Sequence, residues 1–309
     1  MPERYTRPPV SSGKFSQRAS KGIGGNRHAG PFEELPLGRA AAARNYFEYF
    51  NDFTSHADFD VQNFEWNRTD GSGSAYAAGT AIARVPDWTV AEIGAGSTTL
   101  DPLTSALLLT DAPYGVLRVD AGGTDSTGSR VARSTAGSNL SEIMYLSSTL
   151  DNITAGEFRF RYTETGTATQ GAFAFGWHFD DAATLDTAGA LAGTIDQFGF
   201  WKTLASSTLT AYTRASATTS TTLSVGTIAS GTWYTVGWRA QAKAAGASGS
   251  YVDVWLDGTF VGTAVAAGTT SDLTTGAYAP FAAVVNGVGA DCTLDIDYIS
   301  AVSTRESVA

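Results

Sequence analysis

YVDVWLDGTFVGTA, residues 251–264, carries two alternating runs on either side of an Asp-Gly pair. Before Asp257-Gly258 the side chains alternate: Val252, Val254 and Leu256 fall on one face, Tyr251, Asp253 and Trp255 on the other. A period of two marks a half-buried strand. Asp257 and Gly258 accept the positive φ values of a two-residue turn, which holds the flanking strands in fixed register. The segment therefore predicts a hairpin with one face turned to a core.

Further strands are predicted on both sides of it, each bounded by Gly, Asn, Asp or Ser: 115–121, 142–148, 156–164, 171–179, 196–203, 208–214, 221–227, 233–242 and 292–303. Phe158, Phe160 and Tyr162, and again Phe173, Phe175 and Trp177, place an aromatic ring at every second position. Ten or more such strands, without a βαβ rhythm or a long helical period, predict an all-β antiparallel sandwich. NYFEYF (45–50) reads as its first edge strand, with an amphipathic helix over 40–53 as the alternative because Ala40 to Arg44 favour helix. GSGSAYAAGT (71–80) and the stretch around Pro86 and Trp88 read as long loops, and LTSALLL (103–109) as a short helix or a buried strand.

At 309 residues the chain has room for two average domains or one large sandwich. Its single cysteine, Cys292, rules out an internal disulfide framework and fits a small buried hydrophobe. The first 30 residues hold no apolar run of signal-peptide length, and no segment suits a bilayer, so the expectation is synthesis in a reducing cytoplasm and no membrane partner.

The net charge of −10 is divided unevenly. Residues 1–44 carry eight Lys or Arg against three Glu, a balance of +5, which leaves 12 basic and 27 acidic residues, or −15, in 45–309. Rich in Pro, Gly, Ser and Arg and without periodicity, 1–44 reads as an extended basic arm, and 45–309 as the sandwich. Such an arm buries too little apolar surface to offset its own ordering entropy, so it calls for a partner. Its cations are spread among Pro and Gly rather than clustered, and the acidic body repels a polyanion, so nucleic acid is a poor candidate.

Three segments together carry a resemblance: GTWYTVGWRA (231–240), YVDVWLDGTFVG (251–262) and LDIDYISAV (294–302). In that order and spacing they resemble the C-terminal half of concanavalin A-like jelly rolls, the fold of legume lectins, laminin G modules and β-glucanases. The resemblance spans roughly residues 150–303 and implies the jelly-roll sandwich; activity on that fold varies widely.

Glucanases of the fold carry Glu-x-Asp-x-x-Glu on one strand, since retaining chemistry needs two carboxyl groups about 5–5.5 Å apart. The nearest patterns here, Asp295-x-Asp297 and Asp253-x-x-x-Asp257, lack the third carboxylate, so no catalytic residue is assigned and no enzyme is expected. A Ser/His/Asp triad would have to draw on His28, His56 or His178. His178 precedes Asp180 and Asp181, which read as loop caps rather than metal ligands, so no metal and no cofactor are assigned. Trp255, with Tyr251 and Asp253, is the candidate ligand or contact face.

A basic arm on a cysteine-poor acidic jelly roll is also similar to the decoration, or cement, proteins of tailed bacteriophages. That resemblance implies a virion structural protein on the capsid exterior, trimeric, made in the host cytoplasm and partnered by the major capsid protein. Arg4, Arg7, Lys14, Arg18, Lys21 and Arg27 would then meet acidic shell patches, while Tyr5, Phe15, Ile23 and Phe32 fill pockets. The alternative expectation is a carbohydrate-binding adhesion module with glycans as partners, and a glycoside hydrolase comes third.

Overall fold

The computed structural model describes residues 46–51, 81–85, 88–93, 116–121, 125–132, 144–146, 154–165, 170–178, 184–192, 196–215, 218–241, 251–265, 273, 276–287 and 291–304. Regular structure among these is all β. The first eight strands are β1 (Tyr46–Asn51), β2 (Ala81–Val85), β3 (Trp88–Ile93), β4 (Leu117–Asp120), β5 (Gly128–Ala132), β6 (Met144–Leu146), β7 (Thr154–Thr165) and β8 (Ala172–His178). The others are β9 (Gln197–Lys202), β10 (Thr208–Ala215), β11 (Thr218–Thr227), β12 (Trp233–Gln241), β13 (Tyr251–Leu256), β14 (Thr259–Val265), β15 (Gly276–Val285) and β16 (Asp291–Thr304). Every pairing between them is antiparallel. The antiparallel sandwich expected from the sequence is the architecture observed.

One sheet has seven strands, in the order β1-β16-β7-β12-β13-β14, with β4 beside β16. The other has nine, ordered β11-β10-β9-β8-β15-β5-β3-β2, with β6 beside β15. Between them, Phe158, Phe160 and Tyr162 of β7 meet Phe173, Phe175 and Trp177 of β8, with ring centroids as close as 4.7 Å for Phe160–Phe175. Trp238 closes the layer edge-on against Trp177 and Phe198. The aromatic alternation thus becomes the filling of the sandwich.

The 251–264 hairpin folds as expected. Leu256 pairs with Thr259 across Asp257 (φ 49°) and Gly258 (φ 77°), both in the left-handed region that such a turn requires. The Asp257 carboxylate accepts the Thr235 backbone N–H, tying the turn to β12. Val252 and Val254 enter the core, and Leu256 packs against it. Residues 46–51 form a strand on β16 rather than a helix.

The sequence reading needs correction at four strands. Residues around Trp88, expected in a loop, form the β2–β3 hairpin, in which Val85 pairs with Trp88. Neither β5 nor β15 was anticipated, although β15 is central to its sheet, flanked by β8 and β5. Pro280 argues against a central strand because it lacks an N–H. It is accommodated where β15 changes partners: pairing with β6 stops at Tyr278 and pairing with β5 starts at Phe281. LTSALLL, GSGSAYAAGT, His28, His56, Asp180, Asp181 and the arm residues Arg4, Tyr5, Arg7, Lys14, Phe15, Arg18, Lys21, Ile23, Arg27 and Phe32 lie outside the described residues.

Candidate functional site

The face predicted from Tyr251, Asp253 and Trp255 lies on the outer side of the seven-stranded sheet. Tyr251 is half-buried, but Trp255 is only 1% exposed, wedged edge-on against Phe260 (5.3 Å) with the Arg239 guanidinium 5.8 Å from its ring. Asp253 accepts from Arg239 (2.8 and 3.3 Å) and from the Thr263 hydroxyl (2.5 Å). Alternation placed Trp255 on the right side of the strand and missed that this side is covered there. Contrary to the expectation from the sequence, the tryptophan is closed to a ligand in this chain.

The two carboxylates singled out on β16 share that face, whereas Asp257 stays in the β13–β14 turn. Asp295, completely buried, takes a forked pair from Arg118 (2.7 and 3.0 Å) and another from Arg161 (3.1 and 2.6 Å). Asp297 accepts from Arg159. Arg159 and Arg161 in turn lie over the Trp233 ring, 5.1 and 4.8 Å from its centroid. Each acid is neutralised by guanidinium, which suits a sheet-stitching ladder and not a general acid paired with a nucleophile.

The nine-stranded sheet differs in kind. Its strands carry one carboxylate, Glu92 of β3, against Arg84, Arg130, Lys202 and Arg214, whereas the seven-stranded sheet holds eight acids and four arginines. A two-carboxylate mechanism has no pair to use on the strands of the nine-stranded sheet. On its outer face, register aligns Arg214, Gln197 and His178 in one row, and Tyr212, Gly199, Gly176 and Phe281 in the next. Glycine is required in that second row: a Cβ on Gly199 would stand 2.2 Å from the Phe175 carbonyl oxygen. The Tyr212 hydroxyl donates to Gln197 Oε1 (3.1 Å), and His178 packs edge-on against Phe281 (5.4 Å). His178 is fully buried and its pKa is lowered to about 3, first by burial and then by the nearby Arg130 charge, so it stays a neutral packing group at ordinary pH.

A strap, Thr184–Ala192, crosses this face. Leu185 bridges to Leu191 and seats in a second apolar cluster with Ala174, Phe281, Ala283 and Val285. Side chains of the sheet hold the strap through its carbonyl groups: Trp201 Nε1 donates to Gly189 (3.0 Å), Arg214 to Leu191 (2.8 Å) and Gln197 to Ala192 (3.4 Å). Asp186 Oδ1 accepts from the Ala188 and Ala190 amides, both 2.9 Å, which fixes the exposed tip.

Beside the strap the face opens. Trp201 is half-buried, its ring resting on the second cluster and its N–H pinned to Gly189. Register sets Thr210 of β10 opposite Trp201 and Ser224 of β11 opposite Thr210, and Thr222 follows on the same face. Thr222 and Ser224 are exposed. The result is a fixed indole beside a bank of hydroxyl groups with no charged residue among them. Trp201 was missed as a site residue, although FGFW held the signal: with Phe198 and Phe200 in the core, Trp201 lies outside it by parity.

Cys292 is buried at one end of the sandwich, where its thiol donates to Asn286 Oδ1 (2.6 Å) and burial pushes its pKa up to about 12. The Lys202 amine, 4.8 Å from the Tyr162 ring, donates to the Gly171 carbonyl, and burial lowers its pKa. Tyr162 donates to Glu164 (2.6 Å). A thiol held protonated is a packing group, as expected, and not a nucleophile.

No family model matches the sequence, and no curated protein does. Among solved structures, the endo-1,3-β-glucanase of Streptomyces sioyaensis aligns with a TM-score of 0.49 and 12% identity, over 85% of this chain and 98% of its own. Peanut lectin aligns at 0.45 and 12%, over 84% and 97%, and the potassium-bound carbohydrate recognition domain of Emp46p at 0.44 and 10%, over 72% and 90%. At such values the question of function rests on the residues of this chain.

Proposed function

We propose that the protein is a carbohydrate-binding sandwich that holds a neutral glycan at Trp201 without cleaving it. The observation that carries this reading is the half-exposed indole, pinned by its N–H···O bond to Gly189 and flanked by Thr210, Thr222 and Ser224. An aromatic face offers a flat apolar surface to a sugar ring, and hydroxyl groups supply bonds at low desolvation cost. Because the ring is already fixed, little side-chain entropy is lost on binding. The hydroxyl bank itself carries no charge, and the exposed Asp186 carboxylate on the strap beside it would repel an acidic sugar, so neutral sugars are favoured. Titration of the intrinsic fluorescence against neutral and acidic oligosaccharides tests this: Trp201→Ala should weaken neutral-glycan binding at least about tenfold in a variant that still unfolds cooperatively, and Trp201→Phe, which keeps a ring on the second cluster, should weaken it less. Equal affinity in the variant, or no neutral glycan bound by the native chain, overturns the reading.

A second reading is favoured by the charge split of +5 in residues 1–44 against −15 in the rest. In it the arm ties the sandwich to an acidic assembly such as the exterior of a virion shell, with the major capsid protein as partner. Many modest contacts from Arg4, Arg7, Lys14, Arg18, Lys21 and Arg27 would supply the affinity.

A further inference from the structure

We infer that the β11–β14 end of the sandwich is an interface between two copies of this chain, joined edge to edge through β11. The two sheets finish together there: β11 is the last strand of the nine-stranded sheet and β14 the last of the seven-stranded one. They are packed closely, Leu223 of β11 against Gly262 of β14 and Leu256 of β13 against Gly226 of β11. Among the described residues, β11 pairs only with β10, and β14 only with β13.

A free edge presents unpaired backbone donors and acceptors, and soluble proteins guard such edges with charge or proline. At the far end, β1 carries Glu48, and β2 carries Arg84 and is followed by Pro86. The near end has neither guard: TTSTTLSVGT and TFVGTAV together contain no charged residue and no proline. They are rich in threonine and valine, which favour strands, and Thr222, Ser224, Thr227, Thr259 and Thr263 are exposed.

An isologous two-fold contact needs a surface compatible with itself, and an uncharged edge meets that condition because no like charges are brought together. Irregularities at Leu209/Thr210 and Tyr212/Arg214 interrupt the β11 ladder on both sides and leave Thr222–Ser224 regular. A two-fold axis through Leu223 would set Thr222 opposite the second copy's Ser224, a favourable hydroxyl pair. The same interruptions limit pairing to this short register and so discourage open-ended stacking. Ten residues of β11 extend about 33 Å, and two layers with their side chains span roughly 20 Å. The product, on the order of 650 Å², is the most this end can bury, side-chain contact beyond the short paired register included, and lies below the roughly 800 Å² per partner of a standard stable interface, so the contact is a weak dimer.

Sedimentation equilibrium of the full chain across the micromolar range tests the inference. The native protein should show twice the chain mass, and the double variant Thr222→Lys, Ser224→Lys should weaken the dimer at least about tenfold, since it opposes like charges across the axis. Thr187→Lys, on the exposed strap, should leave the dimer unchanged. If the double variant misfolds, hydrogen exchange of the native chain decides, because β11 amides should gain protection as concentration rises. A native monomer overturns the inference. So does a trimer, which the assembly reading expects and a single two-fold edge contact cannot close, and so does a dimer indifferent to the β11 lysines.

Discussion

His178 shows at one residue how burial sets chemistry. Its imidazole is enclosed, burial disfavours the charged form, and Arg130 adds to the effect, so the folded pKa of about 3 lies well below the ordinary value near 6.5. Between those values the unfolded chain binds a proton that the folded chain does not. Stability from this residue is therefore complete above pH ~6.5 and falls as pH drops towards 3, by up to about 1.4 kcal/mol per unit. Urea unfolding at pH 6.5 and pH 5 should show a loss of about 1.6 kcal/mol in the native chain and a much smaller one in His178→Asn. Equal losses in both would assign the slope to other groups. The sequence already marked His178 as unusual through FGWHFDD, but parity told only its face, and neither its enclosure nor Arg130 was legible. The two tryptophans make the same point: parity puts Trp255 and Trp201 on outer faces, and only the surrounding chain leaves the first closed and the second half open.

At the scale of elements, legibility followed the strength of the local signal. The β13–β14 hairpin was readable because Asp257-Gly258 and the alternation of valines agree. In β15 the same physics was hidden, since GAYAPFAAVV is half alanine-like in its small side chains and interrupted by Pro280, whose place at a change of partner strands is a tertiary fact. The carboxylates of β16 were visible as Asp295-x-Asp297, yet their partners come from β4 and β7, 177 and 134 residues away for Arg118 and Arg161. Those partners decide the role. Arg118 has its pKa raised, first by its hydrogen bond to Asp295, as befits a cation with a fixed counter-ion. Asp295→Asn removes the charge that both guanidiniums share and should cost about 1–3 kcal/mol in denaturant unfolding. That is less than the roughly 3–5 kcal/mol for breaking a fully buried pair, because Arg118 and Arg161 stay 24% and 27% exposed and recover part of their hydration. A loss below about 0.5 kcal/mol would mean the ladder is no more than surface pairing.

For the whole molecule, charge is partitioned twice, between arm and body and between the two sheets. The seven-stranded sheet gathers eight of the nine strand carboxylates, and the strands of the nine-stranded sheet are left with one. Both partitions bear on one experiment, removal of residues 2–40. Among the described residues, the buried apolar members of the two clusters run from Ile93 to Ala301, and the deletion removes none of these. The shortened chain should unfold cooperatively within about 4 °C of the full one, the shift that roughly 1 kcal/mol produces in a domain this large. It should also bind neutral glycan with unchanged affinity, because Trp201, the strap and the hydroxyl bank are intact. Losing seven basic and three acidic residues takes the net charge from −10 to −14, so attraction to an acidic assembly should vanish with the arm. The two functional readings separate here. Glycan binding that disappears with the arm would remove Trp201 as its seat, whereas a shortened chain that still occupied particles fully would show that the arm is not what ties the sandwich to them.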